Sequence, residues 1–145
     1  MRRSTLLTGI ASAVLVSAAV IPAQAQAAPV GFSVVIVAHT VFGAEASEFD
    51  STLPGCESGT VADDGAAHFT PWGGAFVGLK HFTCADGESG FTVRLNARFG
   101  GGGSTGTWTL ADAWGDFAGV KGSGSLVGVP TSDTSIDDTY TGTVR

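Results

Sequence analysis

The sequence predicts an all-β fold, a single antiparallel barrel stapled by one disulfide, and three observations predict it. Period-2 alternation of apolar and polar residues recurs along the chain, while helical periodicity is nearly absent. Turn-forming residues, glycine and aspartate above all, divide the chain into seven or eight short strands, the spacing of a sandwich or a barrel. Cys56 and Cys84 are the two cysteines, and an even count in an exported chain reads as a disulfide. Closing a loop of about 29 residues is worth about 3 kcal/mol in the chain-entropy model.

Export is read from the N-terminus. Arg2 and Arg3 form a positive start, Leu6 to Ile21 is mostly apolar and uncharged, and "AQAQAA" supplies small residues. That is the three-part pattern of a secretory signal peptide, with cleavage expected after Ala25 or Ala27. The apolar stretch is short for a membrane span, so no stable membrane anchor is expected. The chain then divides into residues 1–27, the leader, and 28–145, one β-barrel domain of a size that buries a real core. Without Arg2 and Arg3, five basic residues stand against thirteen acidic ones, a formal charge of −8. Such a surface repels phosphate backbones, so no nucleic-acid partner is expected.

The strands follow in order. "GFSVVIVAHTVF" (31–42) is rich in β-branched and aromatic residues, as a mostly buried strand requires. Weaker strands are expected at Gly59–Ala62 and Ala67–Thr70. "GAFVGLKHFTC" (74–84) is extended, with both faces partly apolar. In "FTVRLNARF" (91–99), Phe91, Val93, Leu95, Ala97 and Phe99 share one face, and Thr92, Arg94, Asn96 and Arg98 the other. The Asp-Gly turn in "ADGESG" (85–90) should join these two into a hairpin. "GTWTLA" (106–111), "GSLVGV" (124–129) and "DTYTGTV" (138–144) complete the set, and "GGGGSTG" (100–106) reads as a mobile hairpin loop. Trp72 does lie between the cysteines, but these are too close together for the immunoglobulin pattern. A barrel also removes edge strands, which matter in a chain with so many apolar strands and few lysines.

Glycines at 115, 119, 122, 124 and 128 punctuate "WGDFAGVKGSGSLVG". Within strands they mark bends and close backbone approaches, as the corner of a closed sheet needs. The expected corner is a turn at Trp114–Asp116, a short strand, then another sharp turn. Gly122 is expected to have positive φ or to sit where a Cβ would strike a neighbouring strand.

Three stretches carry a family resemblance: "GTWTL" (106–110), "DFAGVKGSGSLVG" (116–128) and "DDTYTG" (137–142), with "FTCADGESGFTVRL" (82–95) beside them. They resemble the allene oxide cyclase and dirigent-like barrel group, and most nearly its secreted actinobacterial members. The resemblance covers about the last half of the exported chain and implies an eight-stranded antiparallel barrel. No residue here matches those that carry cyclisation in the plant enzymes, nor the acids of the dirigent pocket, so no catalytic residue is assigned.

Other motifs are weaker. Gly101, Gly103 and Gly106 satisfy G-x-G-x-x-G, but a strand follows where a dinucleotide site needs a helix, so no cofactor is expected. His39, His68 and His81 lack a nucleophile elbow. No C-x-x-C or close histidine pair points to a metal. Arg94 and Arg98 belong on the wet outer face. Asp137 and Asp138, adjacent in a strand, point to opposite faces and do not chelate together. Phe76, Phe82, Phe91, Phe99, Trp108 and Tyr140 remain as residues that could line a cavity for a small apolar molecule. The expected role is a secreted, non-enzymatic barrel that binds such a ligand or a surface component. The alternatives are an isomerase or cyclase working in the barrel, and a structural or interaction protein with a filled core. Oligomeric state is not legible.

Overall fold

A computed structural model describes residues 31–145; the leader and its cleavage sites lie outside the described residues. Eight antiparallel strands close into one barrel in sequence order. They are β1 (Phe32–Val41), β2 (Ser47–Ser51), β3 (Ser58–Thr70), β4 (Gly73–Cys84), β5 (Gly90–Gly100), β6 (Gly103–Trp114), β7 (Gly122–Ser132) and β8 (Ser135–Val144). Closure comes from β1 against β8, ten residue pairs from Phe32 opposite Val144 to Val41 opposite Ser135.

Alternation sets the two faces. From β1, Val34, Ile36 and Ala38 point inward; from β5, Phe91, Val93, Leu95 and Ala97 do so. Arg94 and Arg98 are exposed on the outer side of β5. The β4–β5 hairpin forms as its turn chemistry requires: the Asp86 carboxylate accepts from the Glu88 and Ser89 amides, at 2.9 Å each. These bonds hold its carboxyl below the usual range. In β6 one extra residue, Ala111, is accommodated where the β5 register shifts between Thr92 and Val93.

The barrel has two unlike ends. At one, Cys56 in the β2–β3 connection is bonded to Cys84 at the end of β4, and both are buried. Leu53 and Phe117 fold over the same end, Phe117 lying edge-on to Phe91 with centroids 6.4 Å apart. At the other end the hairpin turns β1–β2, β3–β4, β5–β6 and β7–β8 stand around a mouth.

Four details differ from the sequence expectation, the first being that the loop expected over 100–106 shrinks to the turn between Gly100 and Gly103, with 103–106 in β6. β2 was not foreseen, because "SEFDS" offers a single inward apolar residue, Phe49. The two weak strands expected near residues 59–62 and 67–70 are one continuous β3, held along its whole length by pairing with β4. The turn expected at Trp114–Asp116 is a 3-10 turn over Gly115–Phe117, but among the described residues no short strand separates it from β7, because positive φ at Gly115 and Gly119 bends the chain and carries Phe117 inward.

Gly122 itself is extended, and its constraint is space. A Cβ there would lie 2.8 Å from Val144 Cγ1, 2.9 Å from the Thr143 carbonyl and 3.1 Å from Leu110 Cδ1. Backbone cannot yield as a side chain tip can. Gly122→Val is expected to cost more than about 1 kcal/mol by overpacking. An unchanged melting temperature in the purified variant would show that β7 and β8 can separate there without loss.

Candidate functional site

The inward faces of the strands nearest the mouth do not continue the apolar core. On β4, residues 76, 78, 80, 82 and 84 share a face, so Lys80 enters the barrel with Phe82 and Cys84. On β8, Ile136, Asp138 and Tyr140 share a face, so Asp138 enters while Asp137 points out. Thr40 is the last but one residue of β1, and Ser104 the second of β6. Lys80, Asp138, Thr40, Ser104 and Tyr140 are all buried.

The ammonium of Lys80 has three protons and meets three oxygens. Nζ lies 3.1 Å from Asp63 Oδ1, 3.3 Å from Thr40 Oγ1 and 3.4 Å from Asp138 Oδ2. The Phe76 ring centroid is 5.9 Å from the same nitrogen. The Ser104 hydroxyl donates to Asp138 Oδ1 at 3.2 Å. Gly128 makes room for this, because a Cβ there would collide with Ser104 Oγ and Asp138 Oδ1. Asp63 is the solvent-facing member, with 45% of its side chain exposed.

Burial raises the Asp138 carboxyl above the usual carboxylate range, and the charge of Lys80 opposes that shift without cancelling it. The Tyr140 hydroxyl is pushed well above its ordinary value by burial, and then by the negative charges of Asp138 and Asp63. Among the described residues it is the one fully buried side-chain polar atom without a hydrogen-bond partner. The cluster thus holds a cation, two carboxylates of unequal exposure and an unengaged phenol. Such a set can orient a polar group or exchange a proton with it.

An open depression of about 430 Å³ lies against this end, bounded by Phe99, Gly103, Ser104, Thr105, Val127 and Gly128 among others. Ser104 belongs to both the depression and the cluster. The other half of the barrel holds a void of about 10 Å³, lined by Val34, Trp108, Leu110 and Phe117 among others, which is about one water.

The six aromatics singled out in the sequence all come from inward positions, but they separate into two groups. Phe82 and Phe91 stack with centroids 4.9 Å apart, Tyr140 stands edge-on to Phe82 at 5.6 Å, and Trp108 donates from Nε1 to the Ser125 carbonyl at 3.1 Å. Those four fill the interior against one another and their neighbours. Phe76 and Phe99 are half-buried towards the mouth, and Phe99 meets Phe69 edge-on at 5.4 Å.

The histidines lie outside the barrel. His39 bridges three strands, with Nδ1 2.9 Å from Asp137 Oδ1 and Nε2 3.4 Å from Asp50 Oδ2. His81 Nδ1 is 2.9 Å from Thr92 Oγ1, and His68 is exposed on β3. Among the described residues no group of three or more His, Cys, Asp or Glu side chains is arranged to hold a metal ion.

No family model matches the chain, and no curated protein does.

Lys80, Thr40 and Ser104 were not singled out in the sequence, and Asp138 was weighed there only with Asp137, as a chelating pair. The signal was there: Lys80 is the one charge on the face that carries Phe76, Phe82 and Cys84. Lys80→Met leaves Asp138 buried without its cation, so a loss of about 3 kcal/mol at neutral pH is expected. The variant raises the folded-state pKa of Asp138 further above its unfolded value. Stability then falls as pH rises from about 4 through that higher pKa. Urea unfolding should show a larger deficit at pH 7 than at pH 4; equal deficits would mean that Asp138 is not the group left unpaired.

A second expectation concerns His39. Its hydrogen bond to Asp137 raises its pKa above 6.5, against a smaller effect of burial, with Asp50 adding to the rise. The stability it contributes is present below pH 6.5 and is lost as pH rises through the folded value; exposure keeps it small. Proton NMR should place the His39 midpoint above 6.5, and Asp137→Asn should lower it.

Proposed function

We propose that this protein is a secreted, non-enzymatic barrel that binds a small molecule at its open end. The apolar body of the ligand packs on Phe99, Val127 and Val129, and a polar group faces Ser104, whose hydroxyl donates to Asp138. The observation that carries this reading is Ser104, which lines the open depression and donates to Asp138 of the buried Lys80–Asp138 pair. The filled interior of the other half supports the same placement, since it leaves no room there for a ligand. Secretion is supported by the leader-like residues 1–27 and agrees with the buried disulfide. The resemblance to the allene oxide cyclase and dirigent-like group is compatible with a ligand in the barrel mouth.

One observation favours a second reading, an isomerase or cyclase in the same mouth. Asp138 has a raised pKa and a cation beside it, and Tyr140, two residues on along the same face, carries an unpaired phenol; in such surroundings a carboxyl serves as a general acid or base.

Native mass spectrometry of protein purified from its own culture medium tests both. Binding predicts a small-molecule adduct that is released on denaturation and is lost in Thr105→Trp, which fills the depression from an exposed position. The enzyme reading predicts instead that the protein returns the molecule as an isomer, of equal mass and altered retention. A bare protein that takes up nothing from the medium extract would overturn both and leave a barrel whose interior serves structure alone.

A further inference from the structure

The barrel wall is uneven. β2 pairs with β3 only from Ser47 opposite Val61 to Asp50 opposite Ser58. β3 and β4 run on together to Thr70 and Gly73. Among the described residues, Ala62–Thr70 therefore has backbone partners on its β4 side and none on the other. Every residue from Asp63 to Thr70 is exposed, on both faces of the strand. The stretch "ADDGAAHFT" contains no lysine, proline or bulge, the devices that keep free edges from pairing. Its inward charge, Asp63, is committed to Lys80, and its outward one, Asp64, lies 3.7 Å from His81 Nε2 with most of its side chain still exposed.

We infer that this edge is a dimer interface, in which β3 pairs antiparallel with β3 of a second copy about a two-fold axis through Ala66. Symmetry limits the choices. Directly opposed residues must lie on the same face of the sheet, so an antiparallel self-pair is centred on a residue and never between two. A centre at Asp64 opposes two aspartates, and one at His68 opposes two histidines. Centres at 65 or 67 shorten the ladder and pair neither. Centred on Ala66, the ladder uses the whole free stretch: Ala62 faces the partner's Thr70, and Asp64 faces the partner's His68, twice by symmetry. Edge overlap and the pairing of a carboxylate with an imidazole N–H donor thus select the same register. The product is a continuous sheet running through β5, β4 and β3 into the partner's β3, β4 and β5. On the inner face the partner's Phe69 sits opposite Asp63, whose carboxylate stays on Lys80.

Four positions test this without touching the core, three of them exposed and one, Ala62, half-buried. In sedimentation from about 1 µM to about 1 mM, the wild-type chain should pass from monomer to dimer. His68→Asp places like charges opposite each other at two points and should weaken the dimer about tenfold. The exchange Asp64→His with His68→Asp should restore it. Mild oxidation should link Ala66→Cys chains in pairs, since opposed Cβ atoms at a symmetry axis lie within disulfide reach, but not Ala62→Cys chains. A wild-type chain monomeric throughout the range overturns the proposal, as does a dimer indifferent to His68→Asp or unrestored by the exchange. So does an Ala66→Cys chain that fails to link, or an Ala62→Cys chain that links as readily.

Discussion

The ten-pair ladder between β1 and β8 turns a meander of hairpins into a closed surface, and the rest of the structure depends on that closure. An open sheet can leave one face wet, whereas a closed one gives every strand an inside and an outside that alternate without exception except at bulges. Eight strands enclose a space that side chains can fill, and here they do. Phe49, Phe82, Phe91 and Tyr140 form a connected set of ring contacts across β2, β4, β5 and β8. Each such ring contributes about 1.5–3 kcal/mol by leaving water, so the aromatic centre also resists any slip of register. A one-residue shift of β4 would put Phe82 outside and His81 within.

This explains what the sequence could and could not reveal. The β4–β5 hairpin was legible because its two signals agree: strict alternation in Phe91 to Phe99, and Asp86-Gly87 at the turn. β2 was not, since one inward residue gives no period; it exists because Phe49 is covered by Phe82 and Phe91. The length of β3 was hidden for another reason. "GAAHF" has little strand character of its own and is extended because β4 is, a decision made by pairing and not by local preference. For the site, parity in β4 and β8 placed Lys80 and Asp138 on inward faces, but only closure brings the two strands' faces together across the barrel. Thr40, Lys80, Ser104 and Asp138 come from four strands and have no common sequence spacing.

The polar cluster is a poor investment in stability. Taking a lysine and an aspartate out of water costs several kcal/mol per ion, and apolar residues of similar volume would serve a barrel core as well or better. The surrounding chain nevertheless makes concessions to keep the pair. Gly128 gives up a side chain so that Ser104 can reach Asp138, and Thr40 stands where a valine would pack. A core selected for stability alone would have no reason for either.

The cluster and the free edge share one structural cause. β2 stops at five residues, so the wall between β1 and β3 is missing over the last stretch of β3. Asp63 stands at the start of that gap. A longer β2 would have covered it, and the Lys80 cluster would then be sealed as an inert ion pair. As built, the same shortfall exposes one carboxylate of the cluster to solvent and leaves nine residues of β3 backbone unpaired on the side away from β4. Whatever covers that edge also narrows the approach to Lys80. With the edge paired as inferred above, the partner's Phe69 sits beside Asp63, so dimerisation and access to the mouth are coupled through one side chain.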